Sequence, residues 1–264
     1  MGNPTPHRAR KRFGQNFLHD PGIIQRIVQS INPKPSDNLV EIGPGQGAIT
    51  TELLPLVNQM YAIELDRDLV EPLAQQCASL GELLIHNTDA LKFDFSSLAE
   101  AQRPLRVVGN LPYNISTPLL FHLLDYSPYI KDMHFMLQKE VVDRMGADPG
   151  SKSYGRLSVM LQARAEVTPL FNIGPGAFNP PPKVDSAFVR LNPYDVSPYH
   201  IDNWEEFSLV VREAFSQRRK TLRNCLKKSL SAEAIESAGI DPGARAETLS
   251  IEDFATLTGQ LKHG

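Results

Sequence analysis

Only two cysteines, Cys77 and Cys225, occur in the 264 residues. They lie far apart, which argues against a disulfide framework and fits a reducing, cytosolic compartment. No apolar run approaches the length that spans a bilayer. The N-terminal stretch lacks the apolar core of a signal peptide, so a cytoplasmic, membrane-free location is expected. Only about a dozen residues precede the first motif-like segment, which leaves little room for a transit peptide. The seven histidines are scattered, without H-E-x-x-H or clustered Cys/His spacing, so no metal site is expected. An excess of positive charge is missing too. With 27 Lys and Arg against 30 Asp and Glu, the net charge of -3 excludes a uniformly basic nucleic-acid binder.

The placement of charge says more than its sum. Arg8, Arg10, Lys11 and Arg12 form a basic arm with no acid before Asp20. Arg218, Arg219, Lys220, Arg223, Lys227 and Lys228 form a second cluster, with no acid between Ser216 and Ser231. Such clusters can hold phosphates on a slightly acidic chain; the plain alternative is two solvated surfaces.

From Asn38 to Leu191, short apolar runs alternate with helical stretches. Leu39 to Ile42, Tyr61 to Glu64, Leu83 to Ile85, Arg106 to Val108 and His134 to Leu137 read as strands. Ile49 to Leu56, Asp68 to Ala78 and Thr117 to Leu124 read as helices between them. This alternation predicts an α/β, Rossmann-like parallel sheet with helices on both faces, whose ligands bind at the carboxyl ends of the strands. Asn192 to Pro198 reads as a linker. Beyond it, Val211, Phe215, Leu222 and Leu226, then Ile235, Ile251, Phe254, Leu257 and Leu261, recur at helical spacing, with Ser250 as an N-cap. The expected division is an N-terminal arm plus a Rossmann-like domain over 1–195 and a small all-α domain over 196–264.

Two motifs lie at predicted strand ends. Val40 to Gly47 reads as a strand entering a glycine loop, where Gly43, Gly45 and Gly47 let the backbone turn and approach a ligand. The spacing G-x-G-x-G departs from the dinucleotide fingerprint. Glu64, ending the next strand, can accept both hydroxyls of a ribose. Asp89, just beyond the third, can accept from an adenine amine. Both carboxylates would repel a polyphosphate, so the set favours an adenosine ligand without phosphates, S-adenosylmethionine over NAD or ATP. Taken singly, the glycines also read as a tight turn and Glu64 as a solvated carboxylate.

The second motif is Asn110-Leu111-Pro112-Tyr113. Adenine N6 is a poor nucleophile because its lone pair is delocalised into the ring. The Asn110 side-chain oxygen and the Leu111 carbonyl can accept its two hydrogens in directions that favour a pyramidal nitrogen. Pro112 fixes the backbone that follows, and Tyr113 can stack on the base. Phe178, before the stiff Pro180-Pro181-Pro182, is a candidate for the opposite face of a flipped base. Its plain reading is a core phenylalanine.

These motifs resemble the 16S rRNA adenine N6-dimethyltransferases. The segments that match are Lys11 to Leu18, Glu41 to Gly47, Asn110 to Tyr113, Met136 to Val141, Ser153 to Ser158 and Phe178 to Ser186. The resemblance implies a class I S-adenosylmethionine-dependent methyltransferase sheet of seven strands, the last antiparallel. It implies that Asn16, Leu18, Gly43, Glu64, Asp89 and Asn110 contact the methyl donor. Asn110, Leu111 and Tyr113 would orient the adenine, with Phe178 opposite. The activity implied is dimethylation of N6 on two adjacent adenines near the 3′ end of 16S rRNA, in an immature 30S subunit gripped by the basic helix around Arg218 to Lys228. A monomer is expected. The rival resemblance is to antibiotic-resistance methyltransferases that modify one adenine of the large-subunit rRNA. The proline-rich segment and Ser153 to Ser158 favour the small-subunit family.

Overall fold

The computed structural model describes residues 16–100 and 103–261. The basic arm Arg8 to Arg12 and the segment Phe13 to Gln15 lie outside the described residues.

In chain order the strands are β1 Phe17–Leu18, β2 Asn38–Ile42, β3 Gln59–Glu64, β4 Glu82–Asn87, β5 Leu105–Asn110, β6 Ile130–Gln138, β7 Ala165–Ile173, β8 Phe178–Asn179 and β9 Ser186–Pro193. Seven of them form one sheet in the order β4-β3-β2-β5-β6-β9-β7, and β1 pairs with β8 separately. From β4 through β6 every pairing is parallel, and β9 runs antiparallel to β6. All five residues of β2 and the first five of β5 are buried, as a parallel sheet covered on both faces requires.

The helices around this sheet start and stop on local signals. In α1, Pro21–Ile31, the Asp20 side chain accepts from Ile23 N at 2.9 Å and Pro21 takes the first helical position, where its missing N–H costs nothing. The expected helix over 49–56 is split. α2 covers Thr50–Leu53 and passes into a tighter turn at Leu54–Leu56, because Pro55 has no N–H to continue the ladder. Then follow α3 Arg67–Cys77, α4 Ser116–Asp125 and α5 Lys139–Met145. The C-terminal end of α1 is tied down by a residue the sequence did not single out. Arg106 in β5 donates to Ile31 O at 2.7 Å and pairs with Asp37 at 2.6 Å and Asp132 at 2.9 Å.

Strand order reverses between β2 and β5, the place where sheets of this kind bind ligands. Here Ile42 sits opposite Gly109. A Cβ on Gly109 would lie 2.5 Å from the Ile42 carbonyl oxygen, so only glycine lets the two strands end side by side. The glycine loop and the Asn110 motif are thereby brought to one rim.

The chain divides into two compact units, one running through Val142 plus Thr168–Pro193, the other made of Asp143–Val167 plus Tyr194 onward. The division falls at Pro193, two residues before the expected cut, and the second unit also takes in Asp143–Val167, which the sequence had placed in the first domain. Tyr154 gives the reason: its hydroxyl donates to Leu249 O at 2.9 Å and its ring meets Phe215 at 6.1 Å. The segment Ser153 to Ser158 is thus built into the helical unit. The expected linker is pinned as well. Asn192 and Pro193 finish β9, Tyr194 N donates to Arg164 O at 3.0 Å, and the Ser197 hydroxyl donates to Ala163 O at 3.3 Å.

The second unit contains α6 Arg156–Gln162, α7 Trp204–Ala214, α8 Leu222–Cys225, α9 Ala232–Ser237 and α10 Ile251–Thr258. Ser250 caps α10, with Asp253 reciprocating. The basic segment is not one helix. α8 is a single turn, since Leu222 N and Arg223 N donate to Ala244 O and Pro242 O rather than continuing α7. Arg218, Arg219 and Lys220 sit in the turn before α8, Arg223 within it, and Lys227 and Lys228 after it, all exposed.

Candidate active site

At the switch point lies a cavity of about 340 Å³, within the range that holds a small ligand. Asn16, Leu18, Gly43, Gly45, Glu64, Asp89, Asn110, Leu111 and Tyr113 all line it. These residues span almost one hundred positions of sequence. Parallel strands ending at one rim bring Gly43 through Tyr113 together, and β1, paired with β8, adds Leu18 and the adjoining Asn16.

On the donor side, Gly43, Gly45 and Gly47 all have positive φ, at 68°, 59° and 79°. Gly45 also packs tightly: a Cβ there would lie 3.2 Å from the Phe17 ring. The freed backbone reaches Glu64, whose carboxylate accepts from Gly45 N at 3.1 Å and Asp66 N at 2.7 Å. Burial pushes the Glu64 carboxyl above its ordinary range, and those backbone donors pull the other way. Two N–H groups fix its direction while leaving lone pairs for a ribose. Asp89 is held by Leu91 N at 3.0 Å. Leu65, next to Glu64, is 51% exposed and supplies an apolar rim beside the two carboxylates.

Glu41 also lines the cavity, as a buried acid inside an apolar strand whose sequence gives it no role. It is fully buried, accepts from the Thr50 hydroxyl at 2.6 Å, and is pushed up to about 7 by burial, with the Thr50 bond opposing and the Glu64 charge reinforcing.

On the acceptor side, Asn110 ends β5 with its amide oriented: Nδ2 donates to Asn16 O at 3.0 Å. That bond assigns the amide, so Oδ1 is turned from Asn16 and takes no hydrogen bond from the described residues. The Leu111 N–H donates to Met136 O at 3.2 Å, while its carbonyl accepts no backbone bond from the described residues. Tyr113 is half-buried, and its hydroxyl lies 3.0 Å from Ser186 Oγ. Asn110 and Leu111, which carry these two acceptors, share the cavity with Tyr113 and with the carboxylates of Glu64 and Asp89.

Phe178 departs from expectation. It is 2% exposed, packs in the core cluster with Leu18 and Ile173, and is not among the residues that line the cavity. The pairing of Leu18 with Phe178 between β1 and β8 explains this, because it turns the ring into the core. In this structure Phe178 is the core phenylalanine of the plain reading, and Tyr113 is the aromatic wall. The basic residues Arg218 to Lys227 belong to the other unit. Arg218 there pairs with Glu247 at 3.6 Å and donates to Lys152 O.

Among the described residues no group of three or more His, Cys, Asp or Glu could hold a metal, and no helix is long and apolar enough to cross a membrane.

Comparison with known proteins gives a consistent result. The family described as "Ribosomal RNA adenine dimethylase" matches over residues 6–262. A "Ribosomal RNA small subunit methyltransferase A" of Pseudomonas fluorescens is 58% identical over 261 residues, covering 99% of this chain and 97% of that protein. One of the same name from Nitrosococcus oceani is 58% identical over 256 residues, 97% of each chain. Among solved structures, a dimethyladenosine transferase from Plasmodium falciparum matches with a TM-score of 0.78 at 30% identity, over 91% of this chain and 95% of that one. The 23S rRNA methyltransferase ErmE matches with a TM-score of 0.73 at 26% identity, over 93% and 99%.

Proposed function

The chain belongs to the ribosomal RNA adenine dimethylase family, and from that membership and the cavity chemistry we propose that it transfers methyl groups to N6 of two adjacent adenines near the 3′ end of 16S rRNA, giving N6,N6-dimethyladenosine. It is a class I, S-adenosylmethionine-dependent methyltransferase. Small-subunit rRNA is favoured over the large-subunit target by identity: 58% to small-subunit methyltransferases against 26% to the 23S enzyme.

The observation that carries the reading is the state of Asn110. With Nδ2 spent on Asn16 O, its Oδ1 is left to accept at the cavity, beside the Leu111 carbonyl, which accepts no backbone bond among the described residues. These two oxygens take the two N6 hydrogens and draw the nitrogen lone pair out of conjugation. Tyr113 stacks on the base. On the donor side, Glu64 accepts from the ribose hydroxyls, Asp89 from the adenine amine, and Asn16, Leu18 and the Gly43–Gly45 loop enclose the rest. S-adenosylmethionine supplies a sulfonium methyl, an electrophile needing no metal or cofactor. No base is needed before attack, because the nitrogen becomes acidic only once alkylated; catalysis rests on alignment. Arg218, Arg219, Lys220, Arg223 and Lys227 grip RNA phosphates of a 30S precursor, and the chain acts as a cytoplasmic monomer.

Labelled S-adenosylmethionine and 30S particles lacking the modification test this. The expected product is N6,N6-dimethyladenosine in the small-subunit RNA. Label appearing only in large-subunit RNA would overturn it.

A further inference from the structure

We propose that Ser186 is a positioning residue for the transfer, fixing the plane of the Tyr113 ring, and that it matters more for the second methyl group than for the first. The proposal rests on the dimethylation reading above and adds to it a residue that does not touch substrate.

Tyr113 sits in the turn between β5 and α4, where no sheet or helix ladder holds it. Tyr113 lines the cavity, but a ring on a turn can swing about two side-chain torsions. What stops it is at the far end: the phenol oxygen lies 3.0 Å from Ser186 Oγ. Ser186 is a rigid anchor. It is 0% exposed and opens β9 in register with Gln138 of β6. The residue before it is held too, since Lys139 N donates to Asp185 O at 2.9 Å. Ser186 Oγ does not line the cavity, so its bond to Tyr113 acts through the ring.

The two transfers place unequal demands on that ring. Unmodified adenine offers two N6 hydrogens, one each for Asn110 Oδ1 and the Leu111 carbonyl. After one transfer only one hydrogen remains, so one of the two acceptors loses its partner. The monomethylated base is then held by a single hydrogen bond plus stacking, and the ring carries a larger share of the alignment. Loosening the ring should slow the second transfer more than the first.

The test uses the full chain with 30S particles, following N6-methyladenosine and N6,N6-dimethyladenosine separately by mass spectrometry. Ser186→Ala should lower kcat about five- to tenfold, the rate equivalent of one hydrogen bond. KM for S-adenosylmethionine should stay unchanged and the ratio of monomethyl to dimethyl product should rise. Tyr113→Phe should reproduce the product ratio, and adding Ser186→Ala to it should change the ratio no further. Ser186→Thr, which restores a hydroxyl, should recover dimethylation. A purely structural loss would reduce both products in proportion and add to Tyr113→Phe. That pattern, or a Ser186→Ala enzyme identical to the wild type, would overturn the proposal. Wild-type protein that forms no dimethyladenosine would instead overturn the functional reading on which it rests.

Discussion

Asn110→Ala is expected to lower kcat by about 10²- to 10³-fold, the scale seen when one preorganised hydrogen-bonding group is removed from a reacting centre. The cause is specific. Alanine removes the acceptor for one N6 hydrogen and leaves the nitrogen lone pair conjugated. RNA particle binding should persist, because phosphate contacts elsewhere dominate affinity. Asn110→Asp separates geometry from chemistry. An aspartate keeps an acceptor oxygen but cannot donate to Asn16 O, 3.0 Å away in the native pairing. The carboxylate should turn from that carbonyl, and the variant should fail like the alanine one. Single-turnover methylation with saturating donor checks both variants. Near-native rates in Asn110→Asp would show that the Asn16 tie does not set the amide.

A pH-dependent stability penalty at Glu41 is the second large expectation. Burial raises this carboxyl from 4.5 to about 7 in the folded chain, against the Thr50 hydrogen bond and with help from the Glu64 charge. The folded state therefore holds a proton that the unfolded state has released. The stability this confers is fully present below about pH 4.5 and is lost as pH rises through about 7. A shift of that size corresponds to on the order of 3 kcal/mol. Glu41→Gln cannot ionise and should not suffer the loss. Urea midpoints should therefore show the variant gaining on the wild type between pH 5 and pH 8, and parallel profiles would contradict the assignment. Saturating S-adenosylmethionine should narrow the gap, because its positive charge favours an ionised neighbour.

What could be read beforehand was whatever is decided locally. Gly43, Glu64, Asp89 and Asn110 were placed at strand ends from short apolar runs and the residues that stop them, and all four line one cavity. The parallel order follows from the alternation of elements. The parts not legible depend on partners distant in sequence. The stiff proline neighbours of Phe178 suit a clamp on a flipped base as well as a core phenylalanine. Which way its ring turns is set by pairing with Leu18, 160 positions away. Arg106 looks like a charged interruption in a strand until Ile31, Asp37 and Asp132 are seen around it. The basic stretch after Ser216 has leucines at helical spacing, yet its backbone is claimed by Pro242 and Ala244. Ser153 to Ser158 matches a family segment, but only the Tyr154 bond to Leu249 tells what it supports.

The most direct test of the central claim is a crystal structure of the chain with S-adenosylhomocysteine, the donor stripped of its methyl. The ribose hydroxyls should lie on Glu64 and the adenine edge at Asp89, with the sulfur facing the open space before Asn110 Oδ1 and the Leu111 carbonyl. A nucleoside bound away from Glu64, or a wall of protein between its sulfur and Asn110, would contradict the account.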